Sequence, residues 1–213
     1  MDQKLLFLIN HDWTSPAMDR LMAIMSSAAV WTVPLVVAGV AALVWGGFRA
    51  RAFVLIALVT FGLCDGVVGR ILKKSVGRLR PHQSEAGVRM VDLRSPAYVG
   101  LFQPLKLKLS TARGRPAEGR SFPSNHAANT SSVALLAALF FRRWGWLAFV
   151  PAGLVAYSRV YVGSHWPTDA AAGVLLGFAT ALFTLALAEW AWRRFGARFS
   201  PRLVAEHPSL FSA

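Results

Sequence analysis

The sequence predicts an all-α fold, a polytopic transmembrane bundle of about five spans with interfacial helices at its N-terminal end. Three observations predict it. Apolar runs of membrane length recur along the chain. Hydrophobic residues make up 55% of the 213 residues and charged ones only 15%, against about a quarter charged in a soluble domain. Basic residues fall in short clusters between the runs, not along the faces of a soluble core. The mean hydropathy is +0.45, and the length suits one domain, 1–213.

Residues 4–27 mix short apolar stretches with Asn10, His11, Asp12, Asp19 and Arg20. They read as one or two interfacial amphipathic helices within an N-terminal segment, 1–29. The stretch does not read as a cleaved signal, because its apolar part is too short and no small-residue cleavage pattern follows. Spans are expected over 30–48, 52–72, 127–141, 145–161 and 170–192. A spanning helix needs about 20 apolar residues, with about 17 as the practical minimum. The first, second and fifth runs meet this directly, the third and fourth with a few flanking polar residues. A sixth span would result if 18–29 entered the membrane. Residues 82–120 form an extracytoplasmic loop, and its Pro/Gly-bearing stretch around 112–119 is expected to be its most mobile part.

Orientation follows from basic residues in short loops. Arg49 and Arg51, Arg142 and Arg143, and the group Arg193, Arg194, Arg198 and Arg202 fall on one side of five alternating spans. That side is read as cytoplasmic. The N-terminal segment and the loops at 73–124 and 158–169 then share the opposite face. The first of these loops is itself basic, with Lys73, Lys74, Arg78, Arg80, Arg89, Arg94, Lys106, Lys108, Arg113, Arg115 and Arg120. Long loops translocate largely regardless of charge, and an anionic ligand would account for the cations. The net charge of +13 therefore does not indicate nucleic acid, whose partners carry basic faces on soluble cores. The single cysteine, Cys64, excludes an intrachain disulfide and a cysteine metal cluster, and reads as a packing residue.

This topology brings three polar clusters to one membrane surface. The first is Lys73-Lys74-Ser75-Val76-Gly77-Arg78-Leu79-Arg80-Pro81, the second Pro123-Ser124-Asn125-His126, and the third Ser158 through Asp169. Together they suit phosphoryl transfer, which needs mostly positioning and positive charge around the equatorial oxygens. Lys73, Arg80 and Arg159 supply fixed charge, the arginines as bidentate forks. Ser124 and the first amides of the third span form an anion-receptive helix start. His165 and Asp169 are spaced i, i+4, so the carboxylate can take one imidazole N–H and leave the other nitrogen to attack phosphorus. His126 can protonate the leaving group and then activate water.

The pattern Lys-x6-Arg-Pro, Pro-Ser-x-His, Ser-Arg-x5-His-x3-Asp resembles the type 2 phosphatidic acid phosphatase (PAP2) superfamily over most of residues 30–195. The resemblance implies an α-helical fold and metal-independent dephosphorylation through a phosphohistidine, with no cofactor. It implies that Lys73, Arg80, Ser124 and Arg159 bind phosphate; Asn125, between Ser124 and His126, is placed with them by its position. His126 would be the acid/base, His165 the nucleophile and Asp169 its orienting partner. One departure stands out. Asn125 occupies a position where the family usually has glycine. Asparagine tolerates left-handed backbone, so its amide could still be presented, or its side chain could narrow the pocket or contact the substrate.

Several residues have plainer readings. A lone interfacial histidine usually caps or snorkels, and Lys73 and Arg80 taken singly would be anchors; only their shared register argues otherwise. Lys74 and Arg78 are expected to be solvated or to touch lipid headgroups, and Ser158 to cap or pack. Asp65 lies on a helix face similar to that of Lys73. It is either a partner of a site cation or a structural hydrogen-bonder. Glu189 reads as interfacial, and His11, His82 and His207 have no evident partner. The eight tryptophans read mostly as belt and packing residues, and Trp166 as able to shape the site.

The expected function is that of an integral membrane lipid phosphatase in a bacterial inner membrane, its site facing the periplasm or exterior. Its partners are then membrane lipids and a lipid phosphate substrate. Undecaprenyl diphosphate, lipid A phosphate, phosphatidylglycerol phosphate and phosphatidic acid are the candidates, the first being preferred. A lipid phosphotransferase would use the same intermediate. A vanadate-dependent haloperoxidase would share the anion site but is soluble and longer. A non-catalytic anionic-lipid binder or transporter is the alternative from another class. Oligomeric state is not legible.

Overall fold

The computed structural model describes residues 1–94, 96–113 and 120–211. Residues 114–119, most of the stretch expected to be mobile, lie outside them. Helix α1 (Asp2–Phe7) runs into a π-helical segment, Leu8–Asp12. Ser15 caps α2 (Pro16–Ser26), its hydroxyl accepting from the Met18 amide at 3.2 Å, with Pro16 at the first helical position. Both are strong helix-start signals.

The next helix, α3 (Ala28–Trp45), buries none of its residues. Val33, Leu35, Val36, Val37, Val40 and Val44 are all exposed. A helix that is apolar on every side suits lipid, not water. Helix α4 (Phe48–Phe61) continues through a π-helical segment, Gly62–Val68, into α5 (Gly69–Val76). Gly77 ends α5 with φ +59°, its amide donating to the Lys73 carbonyl at 3.2 Å. That left-handed cap is why glycine stands there.

The loop that follows departs from an all-α fold. After α6 (Pro81–Ser84), strand β1 (Ala86–Asp92) pairs antiparallel with β2 (Lys106–Thr111) around α7 (Ala97–Gly100). Arg89 stands opposite Leu109 and Val91 opposite Leu107, with a register shift between Ala86 and Arg89. The alternation in Lys106-Leu107-Lys108-Leu109 has the period of a strand, and Val88 and Val91 bury the inner face.

Helix α8 (Asn125–Phe140) is central and packs against α4, α10 and α11. A short α9 (Arg142–Gly145) and a 3-10 turn lead into α10 (Phe149–Tyr161), followed by α11 (Pro167–Phe199) and α12 (Pro201–Glu206). Among the described residues, three helical stretches are long and apolar enough to cross a bilayer: Ala28–Trp45, Phe48–Ser84 and Pro167–Phe199. The other two expected spans are helical too, but α8 has 16 residues and α10 has 13.

Two cores hold the bundle. Ile56, Leu136, Phe140, Ala181 and Leu185 fill one between α4, α8 and α11. Beside it Thr60 and Thr184 share a hydrogen bond of 2.6 Å, the kind of polar contact that joins helices where the hydrophobic effect between them is absent. Leu6, Met22, Val88, Val91, Val160, Tyr161 and Trp166 fill the other, which joins α1, α2, the hairpin and the end of α10.

The polar residues of the N-terminal segment belong to this second core. Asp19 accepts two bonds from Arg89 (2.8 and 3.0 Å) and one from the Tyr161 hydroxyl (2.7 Å). Asn10 donates to the Arg89 and Tyr161 carbonyls, at 2.9 and 2.6 Å. Part of the loop's basic character is thus structural. Three histidines without evident partners in the sequence have them here. His11 donates to the Gly87 carbonyl at 2.8 Å, His82 to that of Gly163 at 3.0 Å, and His207 stacks on Phe48 at 4.3 Å. Glu189 ties the end of α11 to the tail, accepting from Arg193 at 2.7 Å and from the Leu210 amide at 2.9 Å. Cys64 is buried as expected.

Candidate active site

Close packing of α8 on α11 brings the second and third sequence clusters together. A Cβ on Gly173 would stand 2.5 Å from the Ser124 carbonyl oxygen, and one on Gly177 2.2 Å from that of Ala128. Only glycine allows this approach. The Ser124 amide also donates to the Asp169 carbonyl at 3.0 Å. Ser124 is fully buried at the N-cap of α8, its hydroxyl facing the Ala127 amide at 3.5 Å. His126 follows on the first turn, within electrostatic reach of Arg159, His165, Lys73 and Arg80.

The third cluster is set by a tight turn. Gly163 has φ +70°, and a Cβ there would meet Val88 Cγ1 at 2.5 Å and the Arg89 carbonyl oxygen at 2.8 Å. The Ser164 and His165 amides both donate to the Arg159 carbonyl at 3.0 Å. Arg159 is buried, its NH1 donating to the Ser26 carbonyl at 3.1 Å and also to the Ser26 hydroxyl. Its Nε has no hydrogen-bond partner among the described residues. A buried guanidinium N–H without a partner is costly, and an anion would satisfy it.

His165 is buried, and its Nδ1 faces Asp169 Oδ2 at 3.8 Å, ion-pair range and longer than a hydrogen bond. Burial, with the charges of Arg159 and Arg80 adding to it, pushes the His165 imidazole down to about 4, against the opposing pull of Asp169. The ring is therefore neutral near pH 7, as a nucleophile requires. Asp169 lies in the first turn of α11 behind Pro167 and is fully buried. Its carboxylate accepts from the Ser121 hydroxyl at 2.5 Å, the Trp166 amide at 3.1 Å and Arg78 NH1 at 2.8 Å.

The first cluster supplies Lys73 at the end of α5 and Arg80 at the cap of α6, both half-buried. The Arg80 amide donates to Gln83 Oε1 at 3.0 Å, leaving its guanidinium outside that cap. All eight residues singled out in the sequence thus gather at one end of the bundle.

Two expectations need correcting. Asn125 starts α8 in ordinary helical backbone, and the positive-φ non-glycine among the described residues is Ala112. Its side chain donates to Asp65 in the π-helical segment, so the left-handed backbone considered for it is not used. Arg78 does more than meet solvent or headgroups. It joins Asp169 to Asp2 and lies over the Trp166 ring at 5.0 Å. Arg78, Ser121 and Asp2 went unrecognised in the sequence, where no motif spacing marks them. Trp166, beside His165, donates from Nε1 to the Leu79 carbonyl at 2.9 Å.

Membrane-length helices in a bundle that gathers fixed cations, two histidines and a buried carboxylate at one end define an integral membrane protein built for phosphate chemistry. The family model of the PAP2 superfamily matches residues 51–193, and the chain belongs to that superfamily. A lipid A 4'-phosphatase of Bacteroides thetaiotaomicron is 29% identical over 182 residues, covering 83% of this chain and 72% of the relative. An undecaprenyl-diphosphatase of Sulfolobus acidocaldarius is 52% identical over 58 residues, 27% of this chain and 28% of its own. The fold is similar to the crystal structure of Aquifex aeolicus LpxE, with a TM-score of 0.62 at 20% identity over 87% of this chain and 94% of that one.

Proposed function

We propose that this chain hydrolyses a membrane-lipid phosphate without a metal, through a phosphohistidine at His165. The observation that carries the reading is the buried His165 facing Asp169 at 3.8 Å, at the same end of the bundle as the unpartnered Nε of Arg159. Arg159, Arg80, Lys73 and the start of α8 hold the phosphoryl oxygens. His165 Nε2 attacks phosphorus while Asp169 faces Nδ1. The P–O bond to the lipid breaks, and the leaving oxygen takes a proton from His126, which the negative charge of the bound phosphate keeps protonated against the surrounding cations. His126 then removes a proton from water, whose oxygen attacks the phosphohistidine. The products are the lipid alcohol, or the lipid monophosphate from a diphosphate, and inorganic phosphate. Stabilisation of charge as it develops is the main catalytic contribution of such a cradle.

The substrate reading favours a lipid A phosphate, with undecaprenyl diphosphate second. The lipid A relative matches along most of both chains, whereas the likeness to the diphosphatase covers 58 residues. A short match of that kind speaks for shared chemistry more than for a shared lipid. Five crossings are proposed, α8 and the α9–α10 stretch joining the three longer helices. The clusters at Arg49, Arg142 and Arg193 then face the cytoplasm and the site faces the periplasm or exterior of a bacterial inner membrane.

Phosphate release from a panel of purified lipid phosphates tests the reading. Turnover should persist in excess EDTA, and vanadate should compete because it mimics the five-coordinate transition state. Dependence on added Mg²⁺, or lack of competition by vanadate, would count against it. Transfer of the phosphoryl group to an acceptor without phosphate release would show a phosphotransferase. Lipid binding with no turnover on any substrate would favour the non-catalytic reading.

A further inference from the structure

We propose that Arg78 and Asp2 are positioning residues for the reaction: Arg78 holds the Asp169 carboxylate against His165, and Asp2, carried by α1, holds Arg78. The inference rests on the reading of His165 as nucleophile and Asp169 as its partner.

A fully buried carboxylate needs charge-assisted partners. Two of the donors to Asp169 are neutral, the Ser121 hydroxyl and the Trp166 amide, and both reach Oδ2. Arg78 is the cation hydrogen-bonded to it among the described residues, and it takes Oδ1 at 2.8 Å. Each oxygen is therefore held, and the plane of the carboxylate is set. That plane decides how Oδ2 meets His165 Nδ1 across the 3.8 Å gap.

Arg78 is itself held on several sides. Its backbone carbonyl accepts from the Ser121 amide at 2.9 Å, so the segment that positions Ser121 also positions Arg78. Its guanidinium lies over Trp166, the neighbour of His165. NH1 also donates to Thr168 Oγ1 at 2.7 Å. The remaining edge of the fork meets Asp2. NH2 donates to Asp2 Oδ2 at 2.5 Å, and Asp2 further accepts from the Thr168 hydroxyl at 2.7 Å and the Thr168 amide at 3.1 Å. Asp2 thus ties α1 both to the arginine and to a free amide in the first turn of α11. The Arg78 side chain is 31% exposed, so without Asp2 it could swing toward solvent. Anchoring a helix at a membrane surface does not require an acidic residue there; completing this fork does.

The test uses the purified full chain in lipid nanodiscs, a lipid phosphate that the unaltered protein turns over, and orthovanadate as the probe of the cradle. Arg78→Ala should lower kcat about 30-fold, within the roughly 10²-fold range expected for misplacement by about 1 Å. KM and vanadate affinity should stay within about twofold, because Arg78 faces Asp169 and not the phosphate. Arg78→Lys should recover only part of the loss, since an ammonium cannot span two carboxylates as a fork does. Asp2→Asn should lower kcat about threefold, and should add nothing in the Arg78→Ala background.

Unchanged kcat in Arg78→Ala overturns the proposal. A parallel loss of vanadate affinity also overturns it, by placing Arg78 in the cradle. Fewer vanadate sites with kcat per site unchanged would show a merely structural role. Should Arg78→Ala fail to fold, the Lys and Asn variants carry the same readouts, and full kcat in both refutes the clasp. Absence of turnover in the unaltered protein would instead refute the phosphatase reading.

Discussion

His165 Nδ1 and Asp169 Oδ2 stand 3.8 Å apart, while other donors occupy both oxygens of that carboxylate. The acid is therefore locked in place before the histidine takes up the full hydrogen bond. His165→Ala should abolish phosphohistidine formation and lower turnover by at least about 10³-fold. Asp169→Asn keeps the shape but removes the charge, and should cost about 10²–10⁴-fold in kcat, as loss of an orienting carboxylate does elsewhere. Single-turnover phosphate release together with acid-labile labelling measures both. Full activity in His165→Ala would remove the nucleophile assignment.

The His165 titration sets an acid limit. Burial lowers its pKa from about 6.5 to about 4. The neutral imidazole is favoured by the fold, so this group's contribution to stability is fully present above about 6.5. It is lost as pH falls through about 4. The same protonation removes the attacking lone pair. The acid limb of kcat/KM for the free enzyme should reach down toward about 4 instead of breaking at 6.5. A pH profile with thermal unfolding beside it measures this, and a break of kcat/KM at 6.5 with a substrate that does not itself titrate there would contradict the burial argument.

Asn125 answers to Asp65. Its side-chain amide donates to that carboxylate, and Gly69 leaves room for it, since a Cβ there would stand 2.8 Å from Asn125 Oδ1. Asn125→Gly should release Asp65 yet keep activity within about fivefold, because the backbone at 125 is ordinary helix. Asn125→Asp would place a second carboxylate beside Asp65 and the cradle, where its charge would repel the phosphate of the substrate. KM and the vanadate inhibition constant should rise about tenfold or more. Steady-state kinetics on the two variants check this, and equal effects from Gly and Asp would mean that the charge of the pair is irrelevant.

Gly177 controls the approach of α11 to α8. With 2.2 Å between a would-be Cβ and the Ala128 carbonyl oxygen, Gly177→Val must push the helices apart. Overpacking of this kind costs about 1–3 kcal/mol, and the displacement would reach Ser124 and His126 from the other side of the same interface. Activity and the unfolding midpoint in detergent should fall together. A variant that loses neither would show that the helices meet less closely than 2.2 Å implies.

The site residues that local spacing could reveal are those that lie on one element or at its edge. His165 and Asp169 share a helix start, Ser124 and His126 a helix cap, and Lys73 and Arg80 one chain turn. Arg78 gave no such sign, because its partner Asp169 lies 91 residues away. Asn125 and Asp65 are 60 apart, and Arg89 finds Asn10 across 79. The hairpin was legible in principle from the alternation at 106–109, yet a strand in a loop between membrane helices has no apolar partner visible in the sequence. Asn10 and Asp19 read as polar interruptions of an interfacial helix, and became buried clamps once Arg89 was seen to lie over them.

Hydrophobic runs and their charged ends were sufficient, without any coordinates, to predict a membrane protein, the clusters that share its face and the phosphate chemistry they suit. Those features depend on transfer free energy and chain direction, which are properties of local composition. Which donor completes which carboxylate depended on how closely α8 approaches α11 and on where α1 lies. That closeness is set by glycines at 173 and 177 and by packing around Trp166, long-range contacts that only the folded chain brings together.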